Sequence, residues 1–112
     1  MAMQILQLGI GSIPVNTKMD PLGTVVGAGK ARIVKSMRFV NTSTTTAVTL
    51  KIFVVAGPET RLISPANLIL APGALYIDDH EITLEAAQKI IALPGATGGP
   101  IDFVVSGVEK DV

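Results

Sequence analysis

The chain has 112 residues and a mass of 11.6 kDa, enough for one domain and too little for two independent cores. Nine Lys and Arg balance nine Asp and Glu, with one His and neither Cys nor Trp. Without cysteine there can be no disulfide framework, zinc finger or thiol nucleophile. The even charge balance argues against a general nucleic-acid binder, whose affinity comes mainly from excess Lys and Arg.

Thirty-four residues are Ile, Val or Thr. Branching at Cβ restricts χ1 in a helix and suits a pleated surface, so the bias favours strands. Eleven Gly and seven Pro are spread along the chain as turn punctuation. Only 16% of residues are charged, against about 25% in an average soluble domain. The apolar excess that a small core cannot absorb is expected on the outside, as partner surface or oligomer contact. The first eight residues have no basic segment of a secretory leader. The uncharged stretch Leu62 to Ile77 is broken by Pro65 and Pro72 and falls short of a membrane span. A soluble chain made in the cytoplasm, with no membrane partner, is expected.

Residues 1–30 read as an N-terminal arm, with a short strand at Gln4 to Leu8. The stretch that follows carries Gly9, Gly11, Pro14, Pro21, Gly23, Gly27 and Gly29 among Ile and Val. It is long for a loop inside a compact domain, and either lies along a neighbouring molecule or forms short edge strands of the same domain.

Residues 31–112 read as a β-sandwich domain. Ala31 to Asn41 alternates imperfectly, with Ile33, Met37 and Phe39 on one parity and Arg32, Ser36 and Arg38 on the other. Ala47 to Ala56 alternates cleanly, with Val48, Leu50, Ile52 and Val54 on one face and Thr49, Lys51, Phe53 and Val55 on the other. The Thr-rich segment between these runs predicts an antiparallel hairpin.

Gly57-Pro58-Glu59 predicts a turn, and Thr60 to Ser64, Asn67 to Ala71 and Ala74 to Asp78 predict shorter strands. Leu84 to Gln88 predicts one helical turn leading into a strand at Lys89 to Leu93. Pro94 to Pro100 predicts a hairpin loop before a last strand with Ile101, Phe103 and Val105 on one side, ending near Glu109. Short strands at regular spacing, almost without helix, give an all-β fold: an antiparallel β-sandwich or jelly roll with an extended N-terminal arm.

Residues 1–61 hold seven basic and two acidic side chains, and residues 62–112 two basic and seven acidic. Interleaved strands would pair the two halves. Segregated halves would give the domain a positive and a negative side, which suits a heterologous contact.

No segment carries a convincing chemistry. Gly27-Ala28-Gly29-Lys30 fails as a phosphate loop, because Thr24 stands where glycine is required and Ala31 follows the lysine. Asp78-Asp79-His80-Glu81 is the densest set of possible ligands, but neighbours on a strand point to opposite faces and cannot alone close a cation shell. A nucleophile–base pair would have to use His80, and no elbow motif surrounds any serine. The chain is therefore expected not to be an enzyme and to need no cofactor or metal. Lys30, Arg32 and Arg38 share strand parity as a basic stripe. Single-strand binding also needs aromatic platforms, and the three Phe fit a core, so nucleic acid is not the expected partner.

Several segments together resemble small virion proteins of tailed bacteriophages with β-sandwich folds. They are Ile33-Val34-Lys35-Ser36-Met37-Arg38-Phe39-Val40-Asn41-Thr42 and, after the Thr-rich segment, Val48-Thr49-Leu50-Lys51-Ile52-Phe53-Val54-Val55. Ile69-Leu70-Ala71-Pro72-Gly73 resembles an apolar-Ala-Pro-Gly corner, and Val104 to Glu109 the closing strand. Leu84-Glu85-Ala86-Ala87-Gln88-Lys89-Ile90-Ile91 resembles that family's Leu-x-Ala-Gly-Asp-Lys-Ile turn, with Ala87 and Gln88 in place of Gly-Asp.

The resemblance implies a structural role on the virion. Within it the expected function is capsid decoration, a cement protein binding the major capsid protein or other virion proteins, homo-oligomeric on the particle. A head–tail connector, a tail or baseplate component, and a carbohydrate-binding adhesion module are the alternatives. The expected contacts are Ile5, Leu6, Leu8, Ile10, Ile13 and Val15 of the arm, with Arg32 and Arg38 as orienting charges. An arm that acts as a clamp also predicts that residues 1–16 can be removed without loss of the fold.

Overall fold

The computed structural model describes residues 6–23 and 25–111. Among them are nine β-strands and no helix: β1 (Leu6–Ile13), β2 (Lys30–Asn41), β3 (Val48–Ala56), β4 (Glu59–Leu62), β5 (Ile69–Leu70), β6 (Leu75–Asp78), β7 (Ile82–Leu84), β8 (Lys89–Pro94) and β9 (Ile101–Asp111). All pairings are antiparallel. One sheet runs β1-β9-β2-β6, with β7 continuing the β6 edge along β2. In the other, β8 lines one side of β3, while β4 and β5 share the opposite side.

The two sheets form a β-sandwich. Its core joins Ile13, Val34, Met37, Phe39, Ile101, Phe103 and Val105 of the first sheet to Val48, Leu50, Ile52, Leu70, Ile90 and Ala92 of the second. The alternation read in Ala47 to Ala56 holds, with Val48, Leu50 and Ile52 turned inward. Phe39 and Phe103 stack across the β2–β9 ladder in a tilted pair with ring centroids 6.5 Å apart. Phe53 instead lies on the outer face of β3, half-buried rather than in the core.

The expected β2–β3 hairpin does not form. β2 belongs to the first sheet and β3 to the second, so the Thr-rich segment is a crossover between layers. Asn41, fully buried at the end of β2, explains the change of direction. Its Nδ2 donates to the carbonyls of Thr46 and Leu70 at 2.9 and 3.1 Å and to that of Ala71 at 3.3 Å. Its Oδ1 accepts from the amides of Ser43 and Gly99 at 3.0 and 3.3 Å. Residues 95–100 are likewise a crossover, from β8 to β9. β3–β4 is a true hairpin, closed by Gly57-Pro58 with Gly57 at φ 61°, as tight turns between strands require.

The imperfect alternation of β2 has a cause in the ladder. Val34 faces Gly107 and Ser36 faces Ser106, which leaves Lys35 as a bulge that reverses strand parity. Val34 therefore joins the core together with Met37 and Phe39.

Residues 6–23, with 25 and 26, are built into the sandwich. β1 pairs with β9 over its length, and Ile13 is 0% exposed. The chain then crosses to the second sheet and runs along the free side of β8. There Asn16 N donates to Gly95 O at 2.9 Å, Met19 exchanges hydrogen bonds with Ala92, and Val26 N donates to Gln88 O at 3.1 Å. Leu22 and Val26 are buried in the core, and a Cβ on Gly9 would overlap the Pro21 carbonyl. The described part of the segment expected to be removable, residues 6–16, thus supplies Ile13 to the core and covers the edge of β9.

Residues 85–88 form a turn, not the expected helical turn. Glu85 N donates to Gln88 Oε1 at 2.9 Å and Gln88 N to Glu85 O at 3.1 Å. Ala87 N donates to Val26 O at 2.8 Å, and Ala87 has φ 67°. Alanine thus holds a left-handed conformation at the position where the turn it resembles carries glycine. Ala87→Gly is expected to stabilise the fold by about 1 kcal/mol by removing the Cβ clash of that conformation. Urea unfolding followed by circular dichroism measures it; a loss of stability would show that the turn carries no such strain.

Candidate binding faces

Strand register fixes what each sheet presents to the outside. On the five-stranded sheet, Ile10, Val104, Arg38 and Ile77 form one row across β1-β9-β2-β6, and Ser12, Asp102, Val40 and Leu75 form the next. Ile10 is 66% exposed, Ile77 47% and Leu75 46%, a concentration of exposed apolar area on one face. Ile10, Val104, Arg38, Val40, Leu75 and Asp102 line an open depression of about 440 Å³. One Arg and one Asp are the charges of this lining.

The rim of that face is β1, the outer strand of its sheet. Leu6–Ile13 contains no charge and no proline. The other edges carry the features that discourage pairing with a foreign strand. Glu59 and Arg61 lie on β4, Pro65 and Pro72 flank the two-residue β5, and Asp78, Asp79 and Glu81 lie at the β6–β7 junction.

The outer face of the second sheet is also apolar but differently charged. Ile91 faces Phe53, which faces Leu62 on β4, and Leu93 faces Lys51. Lys89 faces Val55 at the far end of the same ladder. With Lys18 from the crossover segment, Lys51 and Lys89 frame an open depression of about 480 Å³, floored by Phe53, Val55, Ile91 and Leu93. Its lining contains three lysines and no acid.

Among the described residues, the ion pairs Lys30–Asp111, Arg32–Glu109 at 2.9 Å and Lys35–Glu81 join the basic part of the sequence to the acidic part. Asp111 bonds the Lys30 ammonium and holds its pKa above the ordinary lysine value. Lys35, the bulged residue, spans to the β6–β7 junction through Glu81. Asp20 accepts from Leu22 N at 2.8 Å, and burial pushes its carboxyl up, opposed in part by that bond and by Arg32 and Lys89. Burial, with Asp78 nearby, also raises the Tyr76 phenol. His80 is 93% exposed in its side chain, beside Asp78 and Asp79. Among the described residues, no three His, Asp or Glu side chains are grouped to hold a metal, and no helix is long and apolar enough to cross a membrane.

The contact residues expected from sequence separate in the structure. Ile5 lies outside the described residues, and so does the side chain of Leu6, whose backbone pairs with Gly107. Ile10 and Arg38 share the outer face of the first sheet, joined through Val104. Leu8 packs against the core, Val15 is half-buried, and Ile13 lies wholly inside, where it cannot meet a partner. Arg32 is on the other side of the bulge from Arg38, largely buried and paired with Glu109, so the basic stripe is not continuous. The lysine-framed face went unrecognised as a unit because its floor comes from β3 and β8, far apart in sequence.

No protein-family model matches the chain, and no curated protein matches it.

Proposed function

We propose that this chain is a structural adhesion protein of a bacteriophage virion, most specifically a capsid decoration protein that binds and stabilises the major capsid shell. The observation that carries the adhesive part of this reading is the uncharged β1 edge beside an exposed apolar face centred on Ile10. An open edge can accept an added strand, whose backbone bonds give grip and whose alternate side chains give register. The neighbouring apolar row supplies area, and Arg38 and Asp102 supply orientation rather than affinity. Repetition over a symmetric shell lets a weak single contact act collectively. The virion part rests on the resemblance of the strand and corner motifs.

The test is binding of the purified protein to expanded, undecorated phage shells, read by electron microscopy and copy counting. Many copies spread over the shell are expected. Ile10→Asp is expected to keep the circular dichroism spectrum, because Ile10 is exposed, while occupancy falls about tenfold or more. A single ring at one vertex would assign the protein to the head–tail connection or tail instead. Undiminished binding of the Ile10 variant would remove this face from the contact.

A further inference from the structure

We propose that the lysine-framed face of β3 and β8 docks onto the β6–β7 corner of a second copy of this chain, a heterologous head-to-tail contact. The inference stands on the two surfaces themselves and does not rest on the virion reading.

The receiving face combines a floor of Phe53, Val55, Ile91 and Leu93 with Lys18, Lys51 and Lys89. Lys51 and Lys89 lie four register positions apart on the ladder, about 13 Å along the strands, one toward each end of the floor. No ion pair joins any of the three lysines to an acid among the described residues; Lys89 feels Asp20 only at longer range. A floor with a single aromatic ring offers no stacking platform for successive bases, which favours a protein occupant over a single-stranded nucleic acid.

The corner has the opposite character on the same kind of apolar base. Ile77, 47% exposed and opposite Arg38 in the β2–β6 register, leads into Asp78, whose side chain is 12% exposed, and on to Asp79 and Glu81. Among the described residues Lys35 pairs with Glu81, and His80 lies beside Asp78 and Asp79. Asp79 is 81% exposed in its side chain. Seating Ile77 on the floor brings the exposed carboxylates of Asp79 and Glu81 toward the lysines, so apolar burial supplies affinity and charge sets orientation. The zero net charge of the chain imposes no long-range repulsion between copies. Donor and acceptor surfaces differ and lie on different sheets, so the contact is not two-fold. It generates a ring if the rotation closes and a filament if it does not. β1 stands at the opposite edge of the corner's sheet, three strand spacings or about 14 Å from β6. Ile10 and the β1 edge therefore remain available for another partner, while Ile77, at the far end of the same row, is taken by this contact.

Sedimentation velocity of the full chain, over a concentration series at low and high salt, tests the proposal with two charge-reversed variants, Lys51→Glu/Lys89→Glu and Asp79→Lys. The wild type is expected to self-associate at low salt and to weaken as salt rises. Each variant alone is expected to lose association by about tenfold or more, because like charges then meet. An equimolar mixture is expected to regain a heterodimer, since the reversed corner fits the reversed face. A mixture that stays monomeric overturns the proposal. So does a wild type that is monomeric at low salt, or association that survives both variants and disappears with Ile10→Asp. Loss of shell binding by Ile10→Asp with this association intact separates the two readings.

Discussion

Asn41→Ala is expected to lower the unfolding free energy by about 3–5 kcal/mol, because several buried hydrogen-bonding groups lose their partner together. The carboxamide is fully buried and uses both ends. Nδ2 holds the carbonyls of Thr46, Leu70 and Ala71, and Oδ1 the amides of Ser43 and Gly99. These partners belong to the crossover after β2, the crossover from β5 to β6 and the crossover before β9, so one side chain fastens three passages between sheets at this end of the sandwich. A small domain has only about 5–15 kcal/mol in total, and a loss of this size would leave it marginal at 37 °C. Urea titration by circular dichroism measures the change. Asn41→Asp separates hydrogen-bond geometry from volume. It keeps an acceptor for Ser43 and Gly99 but turns an oxygen toward three carbonyls, which disfavours the ionised form and raises the folded-state pKa. Its stability is therefore expected to fall as pH rises through that value and to recover in acid. If Asn41→Ala costs less than about 1 kcal/mol, within the range of a single exchanged hydrogen bond, the crossovers are held by other contacts.

The same residue marks where sequence reading runs out. The strand content, the alternation of Ala47 to Ala56 and the breaks at Gly57-Pro58 and Pro72-Gly73 are local, and local chemistry makes them legible. Whether a Thr-rich segment returns a chain within one sheet or carries it to another is not local: both need a short polar connection. The outcome rests on Asn41 meeting Leu70 and Gly99, partners 29 and 58 positions away. Strand parity failed for a related reason. Arg32 and Arg38 share a parity in sequence, and the bulge at Lys35 that separates them is visible only against β9. Of the binding faces, Ile10 and Arg38 are named from sequence, but nothing local separates Ile10, which is exposed, from Ile13, which is buried. The lysine-framed face was half visible, since Lys51-Ile52-Phe53 and Lys89-Ile90-Ile91 each alternate. Its unity depends on β8 lying beside β3.

Deletion of residues 1–16 is expected to abolish cooperative unfolding rather than to release a passive arm. Ile13 alone is a fully buried aliphatic side chain, and truncating such a residue to alanine costs about 2–5 kcal/mol. The deletion also strips the whole ladder from one side of β9 and unanchors the segment that brings Leu22 and Val26 into the core. Gly9→Ala tests the same joint with a single methyl group. Its Cβ would occupy the place of the Pro21 carbonyl, a backbone atom that can move only if residues 20–22 move with it. A loss of about 1–3 kcal/mol is expected from such overpacking. Gly11→Ala is the control, because its Cβ would meet only the edge of the Phe103 ring, at 3.2–3.3 Å, and a ring can shift by tenths of an ångström. Urea unfolding should rank the variants with Gly9→Ala well below Gly11→Ala, and hydrogen exchange should show β9 amides losing protection in the deletion. A truncated chain that still unfolds cooperatively, with β9 protected, would mean that β1 rests on a core already complete without it. Shell binding would then be testable by truncation; otherwise only point changes on the outer face, such as Ile10→Asp, separate adhesion from folding.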